Sequence, residues 1–337
     1  MKLTKEQIAS ITLGAISVNE GPNGVEFHRF TPRQEQMYIQ KREDFGKKSF
    51  ASSGVKLCFQ TDSRNLHLKV QLDHVEARDY YALEVFANGQ RMGCLNNFCE
   101  DTMPQYYARE PFPVGDCEGT FDLGEGEKTV TVYLPWNRRT FLQELSLDDG
   151  AYINPLRRTK RLMAFGDSIT QGYDGLWPSR RLIGRIADAL NVEEINKAIG
   201  GERFCPDLAA LRDDFTPDYI TVAYGTNNWH VTTREIFAEH VVGFFENLYR
   251  NYPNVKTFVI TPVWRKNYQD KTDFDSFFEI EEGIRKAVAG KDNMIVIPGF
   301  DMIPHDETLY ADQCLHPNDR GFDHYTENLL REIKKHI

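Results

Sequence analysis

The spacing of apolar residues changes character at Asn154-Pro155-Leu156-Arg157-Arg158, and no single architecture accommodates both sides of that break. Upstream, apolar residues recur at every second position, the period of a strand with one face buried. Downstream, short continuous apolar runs alternate with stretches of helical period. A chain of 337 residues also exceeds a typical single domain. The break therefore divides the chain into two expected domains, 1–154 and 155–337.

In the first domain the alternation runs through Val55, Leu57 and Phe59, then Leu66, Leu68, Val70 and Leu72, then Tyr81, Leu83, Val85 and Ala87. Asn88-Gly89 follows directly, a dipeptide suited to a tight hairpin because both residues tolerate positive φ. Gly124-Glu125-Gly126-Glu127 marks a further turn before Val130, Val132 and Leu134, and Phe141, Leu145 and Leu147 suggest a last strand. Short alternating strands at this spacing predict an antiparallel β-sandwich, jelly-roll-like, with apolar faces inward. Arg91 to Pro113, with Asn96-Asn97 and three prolines, reads as a long loop able to reach a neighbouring domain. His28, His67 and His74 are scattered and form no cluster with Ser or Asp, so a binding role and a structural role both fit this half.

The second domain reads as α/β. Strands are expected at Leu162–Phe165, Val192–Asn196, Tyr219–Tyr224, Thr257–Thr261 and Met294–Ile297. Between them lie a helix carrying Leu182, Ile186 and Leu190, a short helix at Leu208–Leu211, and helices over 233–250 and 275–289. The helix over 233–250 presents Ile236, Phe237, Val241, Phe244, Phe245 and Leu248, and that over 275–289 presents Phe278, Ile284 and Val288. A helix over 320–335 closes the chain. Strands alternating with helices predict a parallel sheet covered on both faces.

A formal net charge of −10 argues against nucleic-acid or anionic-membrane partners, which are bound through an excess of Lys and Arg. No run of about 18 apolar residues is present, so no membrane span is expected. The first residues lack an apolar signal segment, which points to the cytoplasm, although a processed secreted chain would read the same way. The six cysteines have no metal-ligand spacing; Cys94, Cys99 and Cys117 could pair in an oxidising compartment, but free thiols are expected. No metal and no organic cofactor is expected, and the composition sets no oligomeric state.

Four polar segments fall at the carboxyl ends of the predicted parallel strands, where ligands sit in open α/β sheets. They are Gly166-Asp167-Ser168-Ile169, Asn196-Lys197-Ala198-Ile199-Gly200-Gly201-Glu202, Tyr224-Gly225-Thr226-Asn227-Asn228-Trp229 and Ala311-Asp312-Gln313-Cys314-Leu315-His316-Pro317-Asn318. Ser168 can serve as nucleophile or merely cap a helix. His316, in the loop before the last helix, is the best-placed base. A glycine N–H and an asparagine amide in the middle segments can receive an oxyanion. Asp167 reads as structural, bonding loop N–H groups beside the serine.

These four segments, in this order, resemble the SGNH (GDSL-type) hydrolases over about 155–337. The resemblance implies a flavodoxin-like α/β/α sandwich in which Ser168 is the nucleophile and His316 its base. It implies an oxyanion hole of the Ser168 N–H, the Gly201 N–H and the Asn227 side chain. Gly201 is preferred to Gly200 because the family spaces this glycine five residues after the asparagine, here Asn196. The first half is similar, by strand pattern and domain order alone, to the β-sandwich preceding the catalytic domain in some SGNH carbohydrate esterases.

Two departures stand out. Asn228 occupies the place of the family's aspartate in the third segment. Gln313 occupies the usual triad aspartate position, three before the histidine, while Asp312 lies four before. Either Asp312 orients His316, provided the loop bulges by one residue at Leu315, or a Ser–His dyad operates with a backbone carbonyl on the ring; the first is preferred. Trp177, Trp229 and Trp264 follow motif or strand ends, where they are either stacking platforms for a sugar or packing residues. Arg203 and Phe204, after the oxyanion glycine, are candidates to line the acyl pocket, and His230 reads as a loop histidine. The expected activity is hydrolysis of a small-molecule ester, with acetylated saccharides first. Lipase-like, thioesterase-like or acyltransferase chemistry are alternatives, as is a carbohydrate-binding protein with a degenerate hydrolase domain.

Overall fold

The computed structural model of the chain describes residues 1–113 and 117–337. In the N-terminal region the strands are β1 (Thr12–Leu13), β2 (Ser17–Gly21), β3 (Gly24–His28), β4 (Lys56–Thr61), β5 (Asn65–His74), β6 (Ala82–Ala87), β7 (Gln90–Asn96), β8 (Glu118–Asp122), β9 (Lys128–Tyr133), β10 (Arg138–Leu147) and β11 (Asn154–Pro155). They form two antiparallel sheets, β1-β4-β9-β6-β7 with β11 on β4, and β2-β3-β10-β5-β8. The predicted alternation is the reason they face each other. Leu57, Phe59, Val130, Val132, Leu83 and Val85 of the first sheet meet Leu66, Leu68, Val70, Leu142, Leu145 and Leu147 of the second in one buried cluster. Asn88 and Gly89 both have positive φ, as a two-residue hairpin between β6 and β7 requires.

Two expectations for this half are corrected. Phe141 is buried but lies outside the sandwich core. A bulge between Leu142 and Glu144 shifts the register of β10 against β5, and one inserted residue sends alternate side chains to the other face. Leu142 thus points inward, in phase with Leu145 and Leu147. Second, the long loop expected from Arg91 begins only after Asn96, because Gln90–Asn96 pairs with β6. The side chains of this edge strand are at most half-buried, so it carries no apolar alternation to read. The remainder of that loop, 97–113, does reach the α/β half: the Tyr107 hydroxyl donates to the Asp174 carbonyl at 2.6 Å.

The helices α1 (Lys5–Ile11), α2 (Pro32–Lys41) and α3 (Glu43–Ser49) of this region go beyond the strand pattern. The start of α2 is nonetheless written in Thr31-Pro32-Arg33-Gln34. Thr31 and Gln34 bond reciprocally as a capping box, and Pro32 takes the first helical position. The segment from Phe30 through α3 packs on the α/β half: Phe30, Tyr38 and Phe45 share a core with Ile199, Phe204 and Leu208.

The second half contains β12 (Arg161–Gly166), α4 (Ser168–Gln171), α5 (Leu182–Ala189), β13 (Glu193–Asn196), α6 (Pro206–Ala210), β14 (Tyr219–Ala223), α7 (Thr226–Val231), α8 (Arg234–Asn251), β15 (Lys256–Ile260), α9 (Glu279–Val288), β16 (Met294–Ile297) and α10 (Asp319–Ile333). The strands are all parallel in the order β13-β12-β14-β15-β16. That is the flavodoxin-like order, which reverses direction beside β12 and opens a crevice at its carboxyl end. Helix α9 starts later than expected, at Glu279, which leaves Phe278 exposed, and Ile236 on α8 is likewise exposed. No described helix is long and apolar enough to cross a membrane. Cys58, Cys94, Cys99, Cys205 and Cys314 are free thiols.

Candidate active site

Strand β12 ends at Gly166, and the chain turns at once into α4. A Cβ on Gly166 would lie 2.1 Å from Thr170 Oγ1, so only glycine permits a turn this tight. Asp167 is the N-cap, its Oδ1 accepting from the Ile169 N–H at 3.1 Å. This is the structural role expected of it, and it frees Ser168 from capping. Burial pushes the Asp167 carboxyl up to about 7, against the opposing pull of the Ile169 N–H and of His316.

Ser168 Oγ lies 2.8 Å from His316 Nε2. His316 Nδ1 lies 2.7 Å from Asp312 Oδ2, so the three side chains form one continuous line. The loop solves the four-residue spacing at Gln313, not at Leu315: Gln313 takes the left-handed conformation with φ +61°. Asp312 Oδ1 then accepts from the N–H groups of Cys314, Leu315 and His316 at 2.9, 2.7 and 3.0 Å. Burial raises the Asp312 carboxyl, but the bond and charge of His316 and these N–H groups outweigh it and hold it well below the usual carboxylate range. Asn318 caps α10 and donates to the Thr308 carbonyl, fixing the far end of the loop.

The two glycines of the second segment differ in their commitments. The Gly200 N–H donates to Gln171 Oε1 at 2.7 Å, and a Cβ there would strike the Tyr173 ring at 2.5 Å. Gly201 has φ +86°, is exposed, and among the described residues its N–H has no acceptor. The Asn227 amide donates one N–H to the Glu202 carbonyl at 2.9 Å, which sets it beside Gly201 and leaves its second N–H. Asn228 is fully buried, its Oδ1 accepting from the Phe204 N–H at 3.3 Å.

The candidate pocket residues are mostly not brought to the site. Phe204 is buried among Tyr224, Phe237, Phe244 and Phe245, and so lines no acyl pocket. Trp229 is buried between Phe277 and the Arg265 guanidinium. Trp264 is covered by His305 and Tyr310, and Trp177 by Arg91 and Phe98 at the junction of the two halves. With their faces already covered, the three tryptophans are packing residues and not sugar platforms. Arg203, two residues after Gly201, is half-buried. His230 is exposed on α7 rather than in a loop.

Sequence reasoning missed Asp174, whose Oδ2 lies 3.6 Å from His316 Nδ1. Among the described residues, Asp174, Asp312 and His316 are the one group whose ligand atoms lie close enough to hold a metal ion. Both His316 nitrogens and both Asp174 oxygens are already hydrogen-bonded or ion-paired within the protein, which suits proton transfer better than metal binding. Sequence reasoning also missed Arg42, 4.0 Å from where a Gly201 Cβ would stand. No local pattern ties either to the four motifs.

Residues 164–324 match the GDSL-like Lipase/Acylhydrolase family model. Residues 164–324 therefore form a GDSL-like lipase/acylhydrolase domain. No curated protein matches the sequence. Among solved structures, the whole chain resembles the salicylyl-acyltransferase SsfX3 from a tetracycline biosynthetic pathway, with 21% identity, TM-score 0.78, and coverage of 96% of this chain and 94% of that one. It also resembles a family two carbohydrate esterase from Clostridium thermocellum in complex with cellohexaose, with 15% identity, TM-score 0.64, and coverage of 96% and 98%. The acetyl xylan esterase Est2A of Butyrivibrio proteoclasticus aligns with 14% identity, TM-score 0.61, and coverage of 99% and 98%. The likeness spans both halves, so a β-sandwich docked on an SGNH α/β/α domain is the shared architecture.

Proposed function

We propose that this GDSL-like chain is a serine ester hydrolase acting through an acyl-enzyme, with Ser168, His316 and Asp312 as its triad. The observation that carries the reading is the unbroken line from Ser168 Oγ to His316 Nε2 (2.8 Å) and from Nδ1 to Asp312 Oδ2 (2.7 Å). His316 takes the Ser168 proton at Nε2 as Oγ attacks the ester carbonyl. Asp312 holds the ring with Nε2 unprotonated and offsets the imidazolium charge. The N–H groups of Ser168 and Gly201 and the Asn227 amide receive the oxyanion. The alkoxide leaves with the proton from Nε2, and water repeats the sequence to release the acid.

The substrate class proposed is a small acyl ester, first an acetylated saccharide. The support is the shared two-domain architecture with esterases named for carbohydrate and acetyl xylan; the tryptophans give none. Transfer of the acyl group to an acceptor other than water is the second reading, favoured by the similarity to an acyltransferase. Turnover of p-nitrophenyl acetate by the full chain is expected, and Ser168→Ala is expected to lower kcat by at least about 10³-fold. Unchanged turnover in that variant overturns the reading. An added alcohol that speeds p-nitrophenol release and appears as its acetate in the products favours transfer.

A further inference from the structure

Asp174 lies wholly buried six residues beyond Ser168, and the scheme above gives it no task. Its Oδ2 stands 3.6 Å from the same His316 nitrogen that Asp312 meets at 2.7 Å. It is aimed there by residues of the β-sandwich half. Arg78 donates from Nε to Oδ1 at 2.6 Å and from Nη2 to Oδ2 at 2.9 Å, and the Tyr80 hydroxyl donates to Oδ1 at 2.9 Å. The Tyr107 hydroxyl fixes the Asp174 carbonyl at 2.6 Å. The residue adopts φ +68°, a left-handed conformation that costs free energy in any residue but glycine. A carboxylate serving only to pair Arg78 gains nothing from standing beside a second carboxylate on one imidazole nitrogen, since like charges repel.

We infer that Asp174 is a positioning residue for His316: a second carboxylate, aimed by Arg78 and Tyr80, that braces the Nδ1 side of the ring and offsets the imidazolium charge when Nε2 takes the serine proton. The inference rests on the proposed serine–histidine chemistry. It makes the β-sandwich half a contributor to the active site through Arg78 and Tyr80. The groups facing His316 are Asp312 and Asp174 at Nδ1, Ser168 at Nε2 and the Tyr173 ring, whose centroid is 5.7 Å away. Asp167 couples to the ring by charge, Arg78 stands behind Asp174, and Arg265 couples to Asp312.

The test is the rate at which a fluorophosphonate probe labels the full-length chain as a function of pH, since this reads serine activation without a known substrate. Asp174→Asn is expected to slow labelling about 3- to 10-fold and to move the acid-side midpoint to lower pH, because a negative charge facing the ring is lost. In an Asp312→Asn background Asp174 is the remaining carboxylate, so the same substitution is expected to cost at least about tenfold more than it does alone. Tyr80→Phe keeps the carboxylate but removes a donor, and is expected to move the midpoint to higher pH; this variant decides the matter if Asp174→Asn does not fold. Equal fold-changes in both backgrounds with unmoved midpoints overturn the inference and leave Asp174 as an interdomain strut. Labelling that persists in Ser168→Ala overturns the serine reading itself, and this inference with it.

Discussion

At the scale of single residues, two carboxyls of the site are tuned in opposite directions by their surroundings. Asp312 is surrounded by N–H donors and a histidine, and its charged form is favoured despite burial. Asp167, deeper and with fewer donors, is raised by burial to about 7. The sign of the consequence follows from linkage. Between the ordinary carboxylate range and pH about 7 the folded state holds a proton on Asp167 that the unfolded chain has released. This contribution is fully present below the unfolded value and is lost as pH rises through about 7. Denaturant unfolding from pH 4.5 to 7.5 is therefore expected to show stability falling by up to ~1.4 kcal/mol per pH unit from this group, and Asp167→Asn is expected to remove that component of the slope. Asparagine retains the oxygen that caps Ile169, so the helix start survives.

At the scale of elements, the helix pair 32–49 is tied to the segment 196–202 by buried polar bonds rather than by apolar packing alone. Arg29, just before it, is fully buried and donates to the carbonyls of Ala51, Lys48, Asn196 and Ala198. Burial lowers its guanidinium to about 9, and the repulsion of Arg181 adds to this, which leaves it charged at neutral pH. Nearby, Gln34 bridges Lys197 and Asp213, a fully buried ion pair at 2.6 Å. Arg29→Ala takes the donor from four carbonyls at once. It is expected to lower unfolding stability by about 3 kcal/mol or more, measured by guanidinium denaturation, because each unsatisfied buried group costs ~1–3 kcal/mol. A loss below ~1 kcal/mol would show that the segment relaxes to solvate them.

At the scale of the molecule, the two halves share a core and a wall of the candidate site. Phe30, Tyr38 and Phe45 fill the α/β core, and Tyr80, Tyr107 and Trp136 pack on Tyr173 and Ala311. Residues 155–337 expressed alone would expose these faces and lose Arg78 and Tyr80. That fragment is expected to aggregate or bind a hydrophobic dye strongly and to label at least about tenfold more slowly with fluorophosphonate than the full chain. A soluble, fully labelled fragment would make the sandwich dispensable.

The sequence by itself determined the two-part architecture and the four motifs, for a physical reason: strand and helix periods, turn dipeptides and strand-end loops are local properties of the chain. Ser168, His316, Gly201 and Asn227 stood out as candidates because each sits in a short segment whose chemistry is local too, and the fold brings Ser168 to His316 and Asn227 to the Glu202 carbonyl. The bulge at Leu142, the left-handed Gln313 that lets Asp312 reach His316, and the burial of Trp229 and Phe204 were decided by packing against elements far away in the chain. Asp174 belongs with these. Arg78 stands 96 residues before it and no periodicity links the two, so only the folded chain brings that carboxylate to the histidine.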